Sequence, residues 1–183
     1  MTILHIDSSI NGDNSASRAI SRSIVDRLRS QSPRSPVISR DLAANPLPHL
    51  TLASFNDQEV LDEFLGADTV VIGAPMYNFT LPSQLKAWID RILIAGRTFR
   101  YTADGPEGLA GGKRVIVALA RGGIYDAGSP AAALEHLETY LRGVFNFIGI
   151  DPDFVAADGL NISQEQREMS IRQALGETVR LAA

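Results

Sequence analysis

No cysteine occurs in the 183 residues. That absence excludes disulfides, thiol nucleophiles and thiolate metal sites together. Histidine is scarce as well. His5, His49 and His136 fall in a strand, a loop and a helix with no ligand-like spacing, so no metal site is expected. The apolar runs are too short to span a bilayer, which argues against a membrane as partner. Positive charge is not in excess either: the net charge is −4 without any block of like charge, whereas nucleic acid demands a basic stripe. Met1 to Ile6 lead straight into a strand with no basic region or cleavage site, so the expected compartment is cytoplasmic. Two nucleotide fingerprints are missing too. Neither G-x-x-x-x-G-K-[ST] nor G-x-G-x-x-G is present, and Gly111-Gly112-Lys113 precedes a strand rather than following one, as a turn does.

What is present is an ordinary globular composition, 45% hydrophobic and 21% charged, with near-neutral mean hydropathy. A chain of this length buries roughly 70% of its unfolded surface without staples, and residues 1–183 read as one domain. Five strand segments alternate with about five helical ones. Ile3 to Asp7, Val37 to Leu42, Thr69 to Ile72, Arg114 to Ala120 and Phe154 to Ala157 carry the strand signal. Between them, helices are expected from near Ser15 or Ser17, over about Asp57 to Gly66, from near Ser83, through Leu134 to Ile148 as one long helix, and over Ser163 to Leu181. Val37 to Leu42 alternates apolar and polar residues, as an edge strand does. The α/β pattern predicts a doubly wound five-stranded parallel sheet in the order 2-1-3-4-5, with helices on both faces.

Three loops follow strands one, three and four, at the edge where open α/β sheets bind ligands. The first, Ser8 to Ser17, is rich in small polar residues and ends at a helix start. First-turn amides lack an intrahelical acceptor and the helix dipole points its positive end at the loop, so Ser9, Ser15 and Ser17 can add hydroxyls to an anion site. The second, Met76-Tyr77-Asn78-Phe79, puts three large side chains and one amide on a short connection and suits a flat apolar partner. The third, Arg121-Gly122-Gly123, lets backbone amides approach the polar edge of a ring system. A mononucleotide fits all three. Hydrogen bonds to a charged group contribute about 1.5–3 kcal/mol each against about 0.5–1.5 for one aromatic stack, so the phosphate anchors and the ring is positioned. Each loop also has a plain reading, as an N-cap, a tucked aromatic cluster or a turn.

Taken in order, these segments resemble the FMN-dependent NADH-azoreductase family of flavodoxin-like NAD(P)H:quinone oxidoreductases. The likeness runs through Ser8-Ser9, Ser15-Ala16-Ser17, Arg40 to Pro46, Ala74 to Phe79, Thr98 to Thr102, Gly105 to Leu109 and Arg121-Gly122-Gly123. The resemblance implies an FMN phosphate at Ser9, Ser15, Ala16 and Ser17, and an isoalloxazine ring against Met76, Tyr77, Asn78 and Phe79, with Arg121, Gly122 and Gly123 along its far edge. It also implies a homodimer with active sites at the interface and with Tyr101 and Phe147 near the substrate. Three departures stand out: Ala16 replaces a residue that is polar in many members, Ala120 replaces a hydroxyl residue, and the segment between Pro48 and Asp57 is shorter than usual.

The implied activity is an oxidoreductase cycle of two steps, in which NADH or NADPH reduces the flavin and a quinone or azo compound takes the two electrons. No side chain need be a nucleophile; Asn78 is the expected flavin tuner. The alternative of another class is a flavodoxin-like FMN carrier that passes electrons to a protein and has no NADH turnover of its own. A phospho-accepting receiver module shares the topology but needs an aspartate where this chain has Gly73-Ala74-Pro75.

Overall fold

A computed structural model describes residues 1–181. Its centre is a five-stranded parallel sheet of β1 (Ile3–Asp7), β2 (Val37–Asp41), β3 (Thr69–Pro75), β6 (Arg114–Ala120) and β7 (Asp153–Ala157), in the order β2-β1-β3-β6-β7. This is the expected topology with its numbering shifted, because a separate antiparallel hairpin, β4 (Phe99–Thr102) and β5 (Gly105–Gly108), intervenes before β6. In the sequence, Arg97 to Tyr101 with Asp104-Gly105-Pro106 carries only the signal of an extended segment and a turn. All seven residues of β3 are buried, and β2, at the edge, buries none.

Alternation along the strands feeds two cores. Leu4, Ile6, Val70, Ile72, Val115 and Val117 face α2 (Glu59–Gly66), α3 (Ser83–Ile92) and α4 (Glu138–Phe147), which contribute Phe64, Trp88 and Phe145. On the opposite face Ile3, Val71, Ile116, Ala118 and Val155 meet α1 (Ala16–Gln31) and α5 (Gln164–Leu181) through Ile20, Ile24, Leu28 and Ala174. Period-two strands between period-3.6 helices produce this division directly. Trp88 is completely buried, edge-on to Phe64.

Two local expectations change. Gly73, Ala74 and Pro75 do not end the third strand; they continue it, paired with Ala118, Leu119 and Ala120, and the ladder closes with Met76 N–H donating to the Ala120 carbonyl at 2.8 Å. Proline is tolerated there because β1 ends at Asp7, opposite Gly73, so no strand asks for a donor on the side that its nitrogen faces. The expected long helix over Leu134 to Ile148 is divided. A 3₁₀ turn at Ala132–Leu134 is followed by α4, and the Glu135 carboxylate between them accepts hydrogen bonds from the N–H groups of Leu137, Glu138 and Thr139. An acidic side chain that satisfies three first-turn donors starts a helix rather than running through one.

Candidate active site

The loop after β1 is braced from below. Ser15 is the N-cap of α1, its Oγ accepting from Arg18 N–H at 3.3 Å. Ser17 is completely buried and its hydroxyl lies 3.1 Å from that of Ser15. Arg18 reaches back from α1: its Nε and Nη2 donate to the Ser9 carbonyl, and its guanidinium forms a bidentate pair with Asp41 at 2.7 and 2.8 Å. That pairing is the main reason Asp41 is held down to about 2, with backbone bonds from Ala44 and Ala43 adding to it against the opposing effect of burial. Behind it Ser21 donates to Asp7, and His5 Nε2 lies 3.0 Å from the Ser21 hydroxyl. The serine loop is therefore fixed by a buried polar scaffold on β1, β2 and α1.

The aromatic segment after β3 is a tight turn. Tyr77 and Thr80 exchange both backbone hydrogen bonds, at 2.9 and 3.1 Å, and the two residues between them have positive φ, 48° at Asn78 and 73° at Phe79. Positive φ at both central positions is what a two-residue hairpin requires, and asparagine accepts it readily. Phenylalanine does not; strain of this kind costs on the order of 1–3 kcal/mol and persists where the surroundings impose it. The Phe79 ring is 43% exposed and meets Tyr125 edge-on at 6.4 Å. Asn78 is exposed, and its amide makes no hydrogen bond among the described residues.

Tyr77 joins the two loops. Its hydroxyl accepts from Ile10 N–H at 3.1 Å and lies 3.2 Å from the Ser9 Oγ. The hydroxyl cluster and the aromatic cluster thus open onto one rim of the sheet, in a partly enclosed cleft of about 160 Å³. Ser9, Ser15 and Ala16 of the first loop line it, with Pro75, Met76 and Tyr77 from the second and Ala120 and Gly122 from the third, whereas Ser17, Asn78, Phe79 and Gly123 lie outside the lining. Polar donors at a helix N-terminus and an apolar shelf within one cleft suit a phosphorylated planar ligand.

The third loop sits differently from the expectation. The Arg121 side chain, buried, turns away from the cleft to Asp158 at 2.6 Å, with Glu138 and Glu135 within 3.5 Å. Burial opposes its charge, the three carboxylates outweigh burial, and its pKa is raised. Gly122 lines the cleft and Gly123 does not; the Gly123 carbonyl accepts from Gly159 N–H at 2.9 Å. A Cβ at Gly122 would stand 2.5 Å from Asn161 Nδ2, so the bare backbone there leaves room for the Asn161 side chain beside the cleft. Tyr101 and Phe147 lie apart from the cleft lining, linked through Phe99, whose ring is 5.6 Å from the first and 4.7 Å from the second. Tyr101 is 76% exposed. Sequence reasoning missed Asn11, Asn14, Leu160, Asn161 and Arg167, which complete the lining. The last three follow β7, a strand end that carries no glycine cluster or aromatic run to draw notice.

Comparison with known proteins is consistent with this geometry. A family model described as the flavodoxin-like fold matches residues 1–181. FMN-dependent NADH:quinone oxidoreductase 2 of Bradyrhizobium diazoefficiens is 55% identical, with both chains covered completely. An FMN-dependent NADH:quinone oxidoreductase of Methylorubrum extorquens is 54% identical at the same coverage. Among solved structures, an azoreductase from Bacillus anthracis superposes with a TM-score of 0.91 at 27% identity, over 100% of this chain and 98% of that one. A second from the same species, an FMN-dependent NADH-azoreductase in complex with FMN, gives 0.85 at 27% identity with both chains fully covered.

Proposed function

The chain belongs to the flavodoxin-like-fold family, and from that premise we propose that it is an FMN-dependent oxidoreductase that passes two electrons from NADH or NADPH to quinones and azo compounds. The observation that carries this reading is the single cleft in which Tyr77 couples a hydroxyl-rich helix N-terminus to an apolar shelf. Ser9 and Ser15, with the first-turn amides of Ala16 and Ser17, would hold the phosphate of FMN. The buried Ser17 hydroxyl supports Ser15 from behind rather than facing the cleft. Met76, Tyr77, Asn78 and Phe79 would carry the ring, and Gly122 and Gly123 would border its far edge, where Arg121 braces the loop through its carboxylate partners. When bound, FMN supplies two-electron chemistry, accepting from the nicotinamide and donating to the acceptor in two separate half-reactions.

The protein's own part is to bind, orient and exclude water. Asn78 has a free amide on a strained turn and is the side chain suited to hydrogen-bond the polar edge of the ring. The cleft is too small to enclose a whole flavin, against the roughly 300 Å³ or more of ordinary cofactor sites. A second copy of the chain would cover the exposed remainder, bringing the Phe99, Tyr101 and Phe147 cluster to the substrate. Such a homodimer accounts for the exposed apolar side chains Leu52, Phe55, Phe79 and Tyr101.

The test is spectroscopic. Protein purified with excess FMN should retain a yellow chromophore that bleaches when NADH is added without oxygen, and should then consume NADH steadily with a quinone alone. A bound flavin that bleaches only when a separate reductase is present would identify an electron carrier instead.

A further inference from the structure

The cleft contains one charged side chain, and it comes from the far end of the chain. Arg167, in the first turn of α5, lines the cleft together with Asn14, Ser15 and Ala16. Its Nη2 donates to the Asn14 carbonyl at 3.0 Å, which places the guanidinium beside the residue that precedes the N-cap of α1. No carboxylate lines the cleft, and Arg167 forms no ion pair among the described residues. This sets it apart from the other arginines nearby. Arg18 is committed to Asp41 and the Ser9 carbonyl, and Arg121 to Asp158. A guanidinium has five donors, so Arg167 keeps most of its hydrogen-bonding capacity, and its whole charge, uncommitted. Ala16, which also lines the cleft, offers no side-chain donor of its own.

We propose that Arg167 is the charge partner of the flavin phosphate and makes the site selective for FMN over the unphosphorylated flavin, riboflavin. This rests on the flavin reading given above. Hydroxyls and amides neutralise none of a phosphate's charge of nearly −2; an arginine in fork geometry neutralises one unit of it and donates two parallel bonds. The hydrogen bond to Asn14 fixes the guanidinium before the ligand arrives, which lowers the ordering cost of binding.

The experiment titrates the full-length apoprotein with FMN and with riboflavin, following quenching of flavin fluorescence, for wild type, Arg167→Gln and Arg167→Lys. Glutamine keeps a donor for the Asn14 carbonyl and loses the charge; lysine keeps the charge and loses the fork. Arg167→Gln should raise the Kd for FMN by about tenfold or more and leave that for riboflavin unchanged, with Arg167→Lys in between for FMN. Added salt should weaken FMN binding to wild type and have a smaller effect on Arg167→Gln. Equal weakening of both flavins would mean that Arg167 only supports the Asn14 loop, and an unchanged Kd for FMN would likewise overturn the assignment. Wild-type protein that binds riboflavin and FMN equally well would overturn it while sparing the flavin reading. Failure of wild type to bind either flavin would remove both.

Discussion

At the scale of single residues, Phe79 is the most informative. Its left-handed backbone is the conformation that a glycine adopts freely in this kind of turn, so the ring is maintained against local preference. Phe79→Gly should therefore behave unlike an ordinary aromatic truncation. Relief of strain of about 1–3 kcal/mol offsets the lost contact with Tyr125 and the entropy of glycine, and thermal unfolding should show no fall in Tm. FMN affinity should drop in the same variant. A fall of several degrees would show that the ring supports the fold rather than the ligand. This conformation was not legible in Met76-Tyr77-Asn78-Phe79, where only the cluster of large side chains drew attention. Ser17 shows the opposite failure: its hydroxyl was legible as a donor, but its complete burial and its bond to Ser15 depend on how α1 docks.

Among the elements, the β4–β5 hairpin is the one that sequence periodicity described least well. Four-residue strands containing Gly105, Pro106 and Gly108 carry little strand signal. Packing explains their fold. A Cβ on Gly108 would lie 2.2 Å from both Gly149 N and the Ile148 carbonyl carbon, so the hairpin rests directly on the backbone that leaves α4. Gly108→Ala must push that backbone away, and a loss of about 1–3 kcal/mol is expected, measurable as a lower midpoint in urea. Unchanged stability would mean that the hairpin lifts off without cost. By contrast, the central strands were legible from their β-branched runs, and α1, α2, α3 and α5 from their apolar spacing. The break before α4 was hidden because Leu134 and Leu137 keep helical spacing across it, although Leu134 is 43% exposed and Glu135 caps the helix that follows.

For the molecule as a whole, the sheet order could be read from strand count, the edge character of β2 and the chain rule for crossovers, since each signal is local. The meeting of the loops after β1, β3 and β6 at one edge followed from that order; what could not be read is the contribution of Leu160, Asn161 and Arg167, because it depends on how α5 docks beside α1. The exposed apolar side chains give the expectation at this scale. Light scattering at micromolar concentration should return twice the chain mass, and replacing Tyr101 with aspartate should shift the population toward monomer. A monomeric wild type would overturn the homodimer and leave Leu52 and Phe55 exposed without a partner. The molecule is also closed end to end. Ser23 and Arg27 of α1 both contact Thr178 of α5, the same helix whose first turn lends Arg167 to the loop preceding Ser15. A polypeptide emerging from the ribosome thus exposes its first serines long before the final helix exists. Fragments that end ahead of α5 lack Arg167 and its bond to the Asn14 carbonyl, and they should bind FMN more weakly than the full chain even if their sheet assembles.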